Sequence, residues 1–294
     1  MIQLSMFLIS ITTENKEYTV NFIKKYEKLC IELSSKLRKS SNDIFILSID
    51  EQIVCENQII GVLQIGKSLH FCIPCLLENL DKNKTEEIKV ALITKIDFSK
   101  VKCITGEKKM SQFFLDLMAA HEKNPNQVNN YSMLGIFDEN KNLLAQAPEK
   151  LANDDEIICL NGRNPDEIYQ LHKEYLIEEV IPRGKQVNDN FFQFSINDIF
   201  KTQLVYAISS NDEYVAKANT NAIGFNDIQI GGVYTSPLYR RNYYAWHLVF
   251  RLCQKIIKNH KNPCLFVNEK NLSAKNLYKK MGFSEYGKLI IAYY

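Results

Sequence analysis

Residues 231–245, GGVYTSPLYRRNYYA, hold the group of side chains in this chain best suited to chemistry. Val233, Tyr234 and Thr235 make a short β-run, Pro237 follows, and Arg240, Arg241, Asn242 and Tyr243 lead straight into an amphipathic helical pattern at Tyr244 and Ala245. A strand, a polar turn and a helix start together form an anion site. The first helical N–H groups have no intrahelical partner, and the helix dipole favours negative charge there. Paired arginines would add charge-assisted bonds to a phosphate. The alternative for Arg240 and Arg241 is plain solvation at the surface.

Two other matches invite chemistry and fail on context. Residues 61–68, GVLQIGKS, fit the P-loop expression letter for letter. A phosphate cradle needs a strand before its first glycine and a helix after its serine. Here the intervening residues are an apolar β-like run, and Leu69 to Ile73 lead to Pro74 rather than to a helix. Cys72 and Cys75 form a C-x-x-C pair with His70 nearby, but zinc would need a second pair and a redox role would need a helix. In an extended strand the two sulfurs face opposite ways. His172 and His247 fall within helical patterns as packing or surface residues.

A second block, NLSAKNLYKKMGF at 271–283, follows the first. The two blocks in this order resemble the GNAT-superfamily N-acetyltransferases. There a strand ending near V-x-x-P precedes Q/R-x-x-G-x-G/A, and then comes N-x-x-A-x-x-L-Y-x-x-x-G-F. Arg240 and Ala245 match the first pattern, and Tyr243 stands at its glycine position. Asn271, Ala274, Leu277, Tyr278, Gly282 and Phe283 match the second. The resemblance covers roughly the last half of the chain. It implies acetyl-CoA as the acetyl donor, with Val233, Tyr234 and Thr235 holding the pantetheine and the thioester. It also implies that Arg240, Arg241, Asn242, Tyr243, Tyr244 and Ala245 hold the pyrophosphate. Asn271 touches the cofactor or caps its helix. Tyr278 is the candidate general acid for the leaving thiolate, or packs under the sheet. For the base, Glu178 and Glu179 end the first helix of this half, and Glu179 is carried forward. Such carboxylates are also often simply solvated, and a water chain can replace a base.

The reading is thus an N-acetyltransferase that moves an acetyl group directly to a primary amine, whether small molecule or protein. The alternative is a CoA-binding regulatory or scaffolding module without catalysis on the same fold. A third reading, nucleotide use at 61–68, is the weakest.

Composition sets bounds around this. The chain has 294 residues, enough for two domains. A formal net charge of +2 gives no electrostatic case for nucleic acid. From Arg240 to Lys288 eleven basic residues face only Glu269 and Glu285, which is either a solvated lysine face or an attractor for a phosphate-rich cofactor. Eight cysteines scattered through apolar runs suit reduced thiols and a cytoplasmic protein, and a monomer or homodimer is expected. No stretch approaches a membrane span, and the apolar start lacks a basic segment or cleavage site.

The expected fold is mixed α/β. A GNAT-like domain at 151–294 has a mostly antiparallel sheet with helices on both faces. A second α/β domain at 1–150 precedes it, a diverged GNAT-like half without cofactor motifs. Helical spacing predicts one helix over 19–39 and another over 110–120, with a hairpin over 59–73. A turn at 138–142, a strand at 143–145 and a linker near 148–155 are expected to join the halves. Asn164, Pro165, Asp166 and Glu167 signal a helix start, with the helix ending before Pro182. The loop over 181–193, with Phe191 and Phe192, is the expected acceptor region.

Overall fold

The computed structural model describes residues 6–78, 80–137, 151, 155–182 and 184–294. The turn expected at 138–142, the strand at 143–145 and most of the linker lie outside the described residues. The chain divides into two units. Unit 1 is Met1–Ser132 with Gly224–Asn226 and Gly287–Tyr294, and unit 2 is Met133–Ile223 with Asp227–Tyr286.

Unit 1 carries β1 (Phe7–Ser10), β2 (Ile44–Ser48), β3 (Ile59–Gln64), β4 (Ser68–Cys72) and β5 (Cys103–Glu107), with β12 (Ser284–Tyr293) beyond β5. All neighbours are antiparallel except β4 and β5. The expected hairpin at 59–73 is β3 and β4, so the P-loop match is strand throughout its first half and no helix follows Ser68. Cys72 and Cys75 are free thiols, and among the described residues no cluster of three His, Cys, Asp or Glu could hold a metal.

The helix expected over 19–39 is two, α1 (Lys16–Tyr26) and α2 (Ile31–Arg38), parted by a 3₁₀ turn at Glu27–Leu29. Glu27 causes the difference. Its buried carboxylate accepts from Ser34 Oγ at 2.6 Å and from the backbone N–H groups of Phe225 and Asn226. A buried carboxylate is tolerable only with such donors, and a regular helix would leave its apolar spacing intact while turning this group elsewhere. The remaining helices of the unit are α3 (Lys82–Ile93) and α4 (Lys108–Ala120).

Unit 2 has the strand order β7-β8-β9-β10-β11, from β7 (Asp155–Cys159), β8 (Val205–Ser210), β9 (Glu213–Ile223), β10 (Asp227–Thr235) and β11 (Asn262–Asn268), and it takes in the last three residues of β6 (Gln127–Gly135). β7 through β10 are antiparallel, and β10 pairs with β11 in parallel. Helices α7 (Tyr244–Lys258) and α8 (Leu272–Lys280) cover one face, packing Leu248, Leu252, Ile256 and Tyr278 on Ala216, Ala218, Ile230 and Leu265. The alternate residues Val205 and Ala207 pack on the other face with Ile168 and Ile196.

That second face belongs to α5 (Tyr169–Tyr175), which a π turn extends through Leu176–Val180, and to α6 (Asp189–Thr202). Asn164 caps the 3₁₀ entry to α5, accepting from the Asp166 N–H at 3.1 Å, as its sequence signature predicts. The expected loop over 181–193 is corrected in its second part. Asn188 accepts from Phe191 N–H at 3.1 Å and starts α6, so Phe192 is 3% exposed and belongs to the core, while Phe191 is 41% exposed. No helix of the described residues is long and apolar enough to cross a membrane.

Candidate active site

The β10–β11 pair runs in register only from Asp227↔Asn262 to Ile230↔Leu265, although both strands continue. The parting coincides with an irregularity on the other side of β10. There Gly231 faces Asn219 and Tyr234 faces Lys217, so Gly232 and Val233 together oppose Ala218 alone. One extra residue of this kind bends a strand and sharpens its twist. Gly232 takes φ +58°, and a Cβ there would lie 2.0 Å from Asn219 Oδ1, so no other residue fits. Strands that part leave main-chain donors and acceptors along Val233, Tyr234 and Thr235 facing a gap that an extended ligand can fill. The Thr235 carbonyl accepts from Arg240 Nε at 3.1 Å.

At the end of β10 the chain makes a 3₁₀ turn at Pro237–Tyr239 and enters α7. Arg241 has φ +73° and Tyr243, the residue before the helix, has φ +58°. A backbone that alternates hand in this way turns successive N–H groups to one side. No side chain caps α7, so its first N–H groups are open to an anion. Tyr243 therefore keeps the left-handed backbone that a glycine would take at this position, at a steric cost of about 1–2 kcal/mol. Its ring lies edge-on to Trp246, with centroids 6.3 Å apart. Tyr243→Gly is expected to exceed Tyr243→Ala in stability by about 1 kcal/mol in denaturant unfolding, since both lose the ring and only alanine keeps the strain. Equal stabilities would show that the turn relaxes to another shape.

The neighbouring side chains fix the turn. Asn242 Nδ2 donates to the Tyr239 carbonyl at 3.2 Å, and the Tyr244 hydroxyl donates to Asp155 Oδ2 at 2.7 Å. Ala245 lies in the first turn of α7. The two arginines differ. Arg240 grips both carboxylate oxygens of Glu178, at 2.8 and 2.7 Å, so its charge is spent on the end of α5. Arg241 is exposed on the turn itself. Asn271 Oδ1 accepts from Ala274 N–H at 3.1 Å and caps α8.

Tyr278 is 6% exposed, its ring edge-on to Phe283. Burial, then Tyr175, Glu179 and Cys253, raise its phenol above the usual value, so it stays protonated. The carboxyl of Glu179 is raised by burial and then by Glu178, with Arg240 opposing. Glu179 keeps an exposed surface despite that crowding. The charge of Glu179 thus reaches Tyr278. The Tyr234 hydroxyl donates to Glu178 Oε2 at 3.2 Å, and its ring lies edge-on to Tyr175.

One residue the sequence reading passed over is Lys217, in the middle of β9 and 0% exposed. Its signal was a lysine inside the apolar run Val215-Ala216-Lys217-Ala218. Its Nζ donates to the Gly232 carbonyl at 2.8 Å and to Asn219 Oδ1 at 3.3 Å, and sits 4.3 Å from the centre of the Tyr175 ring. His172 Nε2 lies 2.9 Å from Ser195 Oγ, the spacing of a base and its nucleophile. Burial, then Lys217, hold this imidazole down at about 3, and the residue is 2% exposed, so it packs rather than catalyses. His247 is likewise buried in α7.

Unit 1 repeats the plan without the site. β4, a 3₁₀ turn at Pro74–Leu77, α3, β5 and α4 follow the order of β10, Pro237–Tyr239, α7, β11 and α8. At α3, however, Asp81 accepts from Lys84 N–H at 2.8 Å and places a carboxylate where an anion would bind. β4 pairs with β3 without a register shift.

A mostly antiparallel sheet, a bulged central strand and an uncapped helix after an arginine turn give this half a GNAT-like fold. The FR47-like protein family model matches residues 212–290. Among solved structures, a Drosophila protein is similar over 98% of both chains, with a TM-score of 0.70 and 11% identity. The tandem GNAT protein from the clavulanic acid biosynthesis pathway matches over 98% of both chains, with a TM-score of 0.58 and 11% identity. A GCN5-related N-acetyltransferase from Sphaerobacter thermophilus matches over 98% of this chain and 94% of its own, with a TM-score of 0.57 and 12% identity. The tandem neighbour extends the fold to the N-terminal half, which is GNAT-like as well. No curated protein matches the sequence.

Proposed function

We propose that this protein is an acetyl-CoA-dependent acetyltransferase that moves the acetyl group directly to a primary amine, using the C-terminal half alone. The observation that carries the reading is the parting of β10 from β11 at the Gly232 bulge, just upstream of an uncapped helix. Main-chain groups of Val233, Tyr234 and Thr235 hold the pantetheine arm and the thioester carbonyl. The N–H groups of the turn from Asn242 to Ala245 hold the pyrophosphate, and Arg241 supplies charge. Arg240 acts through Glu178, pinning the turn to the end of α5.

Tyr278 donates to the departing sulfur and Glu179 takes the proton of the incoming amine, directly or through water. Direct transfer, without a covalent enzyme intermediate, suits the character of the thiol whose charge acts on Tyr278. Cys253 is buried and its thiol is pushed up by burial, so it makes a poor nucleophile.

Calorimetric titration of acetyl-CoA into the full chain tests the cofactor. Binding is expected in the micromolar range and is expected to weaken about tenfold in Arg241→Ala, the loss of one charge-assisted bond. No binding by a folded protein overturns the reading. A transfer assay over a panel of amines then separates an enzyme from a CoA-binding module without catalysis.

A further inference from the structure

A lysine buried without a carboxylate is costly to keep, and this one spends its donors on the backbone of the proposed cofactor strand. We propose that Lys217 is a positioning residue of the acyl-CoA site, holding the Gly232 carbonyl and with it the bulge that turns β10 away from β11. The proposal rests on the acetyl-CoA reading of that site.

Gly232 and Val233 are the two residues of β10 set against one of β9, and the next partner across that irregularity is Lys217 itself, facing Tyr234. The lysine therefore rises from the strand beside the bulge and reaches back to it. The bond from Nζ to the Gly232 oxygen is short, at 2.8 Å. No described residue has a cis peptide bond, so fixing the Gly232 carbonyl also fixes the Val233 N–H on the opposite side of the same plane. Parallel pairing with β11 stops at Ile230, two residues upstream. Asn219 completes the arrangement, since its Oδ1 accepts from Nζ at 3.3 Å and its Nδ2 donates to the Thr220 carbonyl at 2.7 Å.

An ammonium has three N–H groups, and here three acceptors surround it: the Gly232 oxygen, Asn219 Oδ1 and the face of Tyr175. The titratable groups that face it are Tyr175 and His172 from α5. The groups from β9 and β10 that bond it, Asn219 and the Gly232 carbonyl, carry no charge. His172, held neutral, offers no counter-charge. Burial alone draws the amine down to about 7, so the third N–H is present below that pH and lost above it. Lys217 is too enclosed and too fully bonded to meet the substrate, and its action runs through the peptide it holds.

The test compares acetyl-CoA binding by calorimetry in the wild type, Lys217→Met, Gly232→Ala and the double variant, each first checked for cooperative unfolding. Methionine keeps the apolar stem and removes the donors. The expected result is a Kd raised about tenfold or more in Lys217→Met, with the double variant no weaker than Gly232→Ala, because both changes break one bulge. A folded Lys217→Met that binds as the wild type does overturns the role while leaving the acetyl-CoA reading intact. A wild type that does not bind overturns both.

If Lys217→Met does not fold, amide NMR of the wild type without cofactor decides. The Val233 N–H resonance is expected to titrate with the midpoint read from the Lys217 side-chain signals. A Val233 amide that does not follow Lys217 overturns the coupling.

Discussion

Tyr278→Phe is expected to lower the turnover number about 100-fold while changing acetyl-CoA affinity less than twofold. The size follows from the usual worth of a positioned acid. The split follows from where the residue sits. Its ring packs in the core beneath the sheet and edge-on to Phe283, contacts that phenylalanine keeps. What the variant loses is the hydroxyl, held protonated by burial and by the nearby charge of Glu179. A phenol with so raised a value serves the departing thiolate mainly as a hydrogen-bond donor, so its effect appears in the transition state and not in ground-state binding. Steady-state kinetics with any accepted amine, beside calorimetry, reads both quantities. Turnover within threefold of wild type would remove Tyr278 from the chemistry and leave it a packing residue.

Much of this site was legible because its parts are local. The strand at 227–235, the proline, the arginine turn and the amphipathic helix are contiguous in sequence, and the helix carrying Tyr278 has its own cap, Asn271, and its own stop, Gly282 at φ +92°. Period and capping chemistry are enough to find such pieces. What escaped depends on distant partners. The division of the helix over 19–39 arises from Glu27, whose acceptors are answered by Phe225 and Asn226 far along the chain. Lys217 shows only as a lysine inside an apolar run until β10 is laid beside it, because the bulge that receives its Nζ is a matter of register between two strands. The start of α6 is different, since its signal was present: Asn188 as cap, with Phe192, Ile196, Ile199 and Phe200 at helical spacing. Pro182 and Gly184 nearby suggested a loop, and the loop ends sooner than their influence implied.

The same contrast separates the two halves at the start of the helix that follows the central strand. Tyr243 departs from the glycine expected of the turn, yet its backbone is left-handed as a glycine's would be. In the N-terminal half the corresponding helix begins conventionally, with Asp81 as cap. A good cap satisfies the helix by itself and leaves nothing for a phosphate. The poorer local choice at Tyr243 leaves α7 in need of an anion, which is what a binding site at a helix start requires.

Glu179→Gln is expected to lower kcat/KM about 100-fold or more and to remove the acid limb of its pH profile. The sign follows from the base having to be ionised. Wild-type kcat/KM should fall as pH drops through the value of Glu179. That fall should come at a higher pH than the ordinary glutamate value of about 4.3, because burial and then the like charge of Glu178 raise this carboxyl. Glu178→Gln supplies the internal control. It removes the like charge and frees Arg240, whose guanidinium is now engaged by Glu178 and already opposes the rise. Both changes favour the ionised form of Glu179, so the acid limb of Glu178→Gln should move to lower pH while the plateau persists. A Glu179→Gln variant that keeps both the limb and the rate would assign deprotonation of the amine to water. An acid limb unmoved in Glu178→Gln would assign it to a group outside this carboxylate pair.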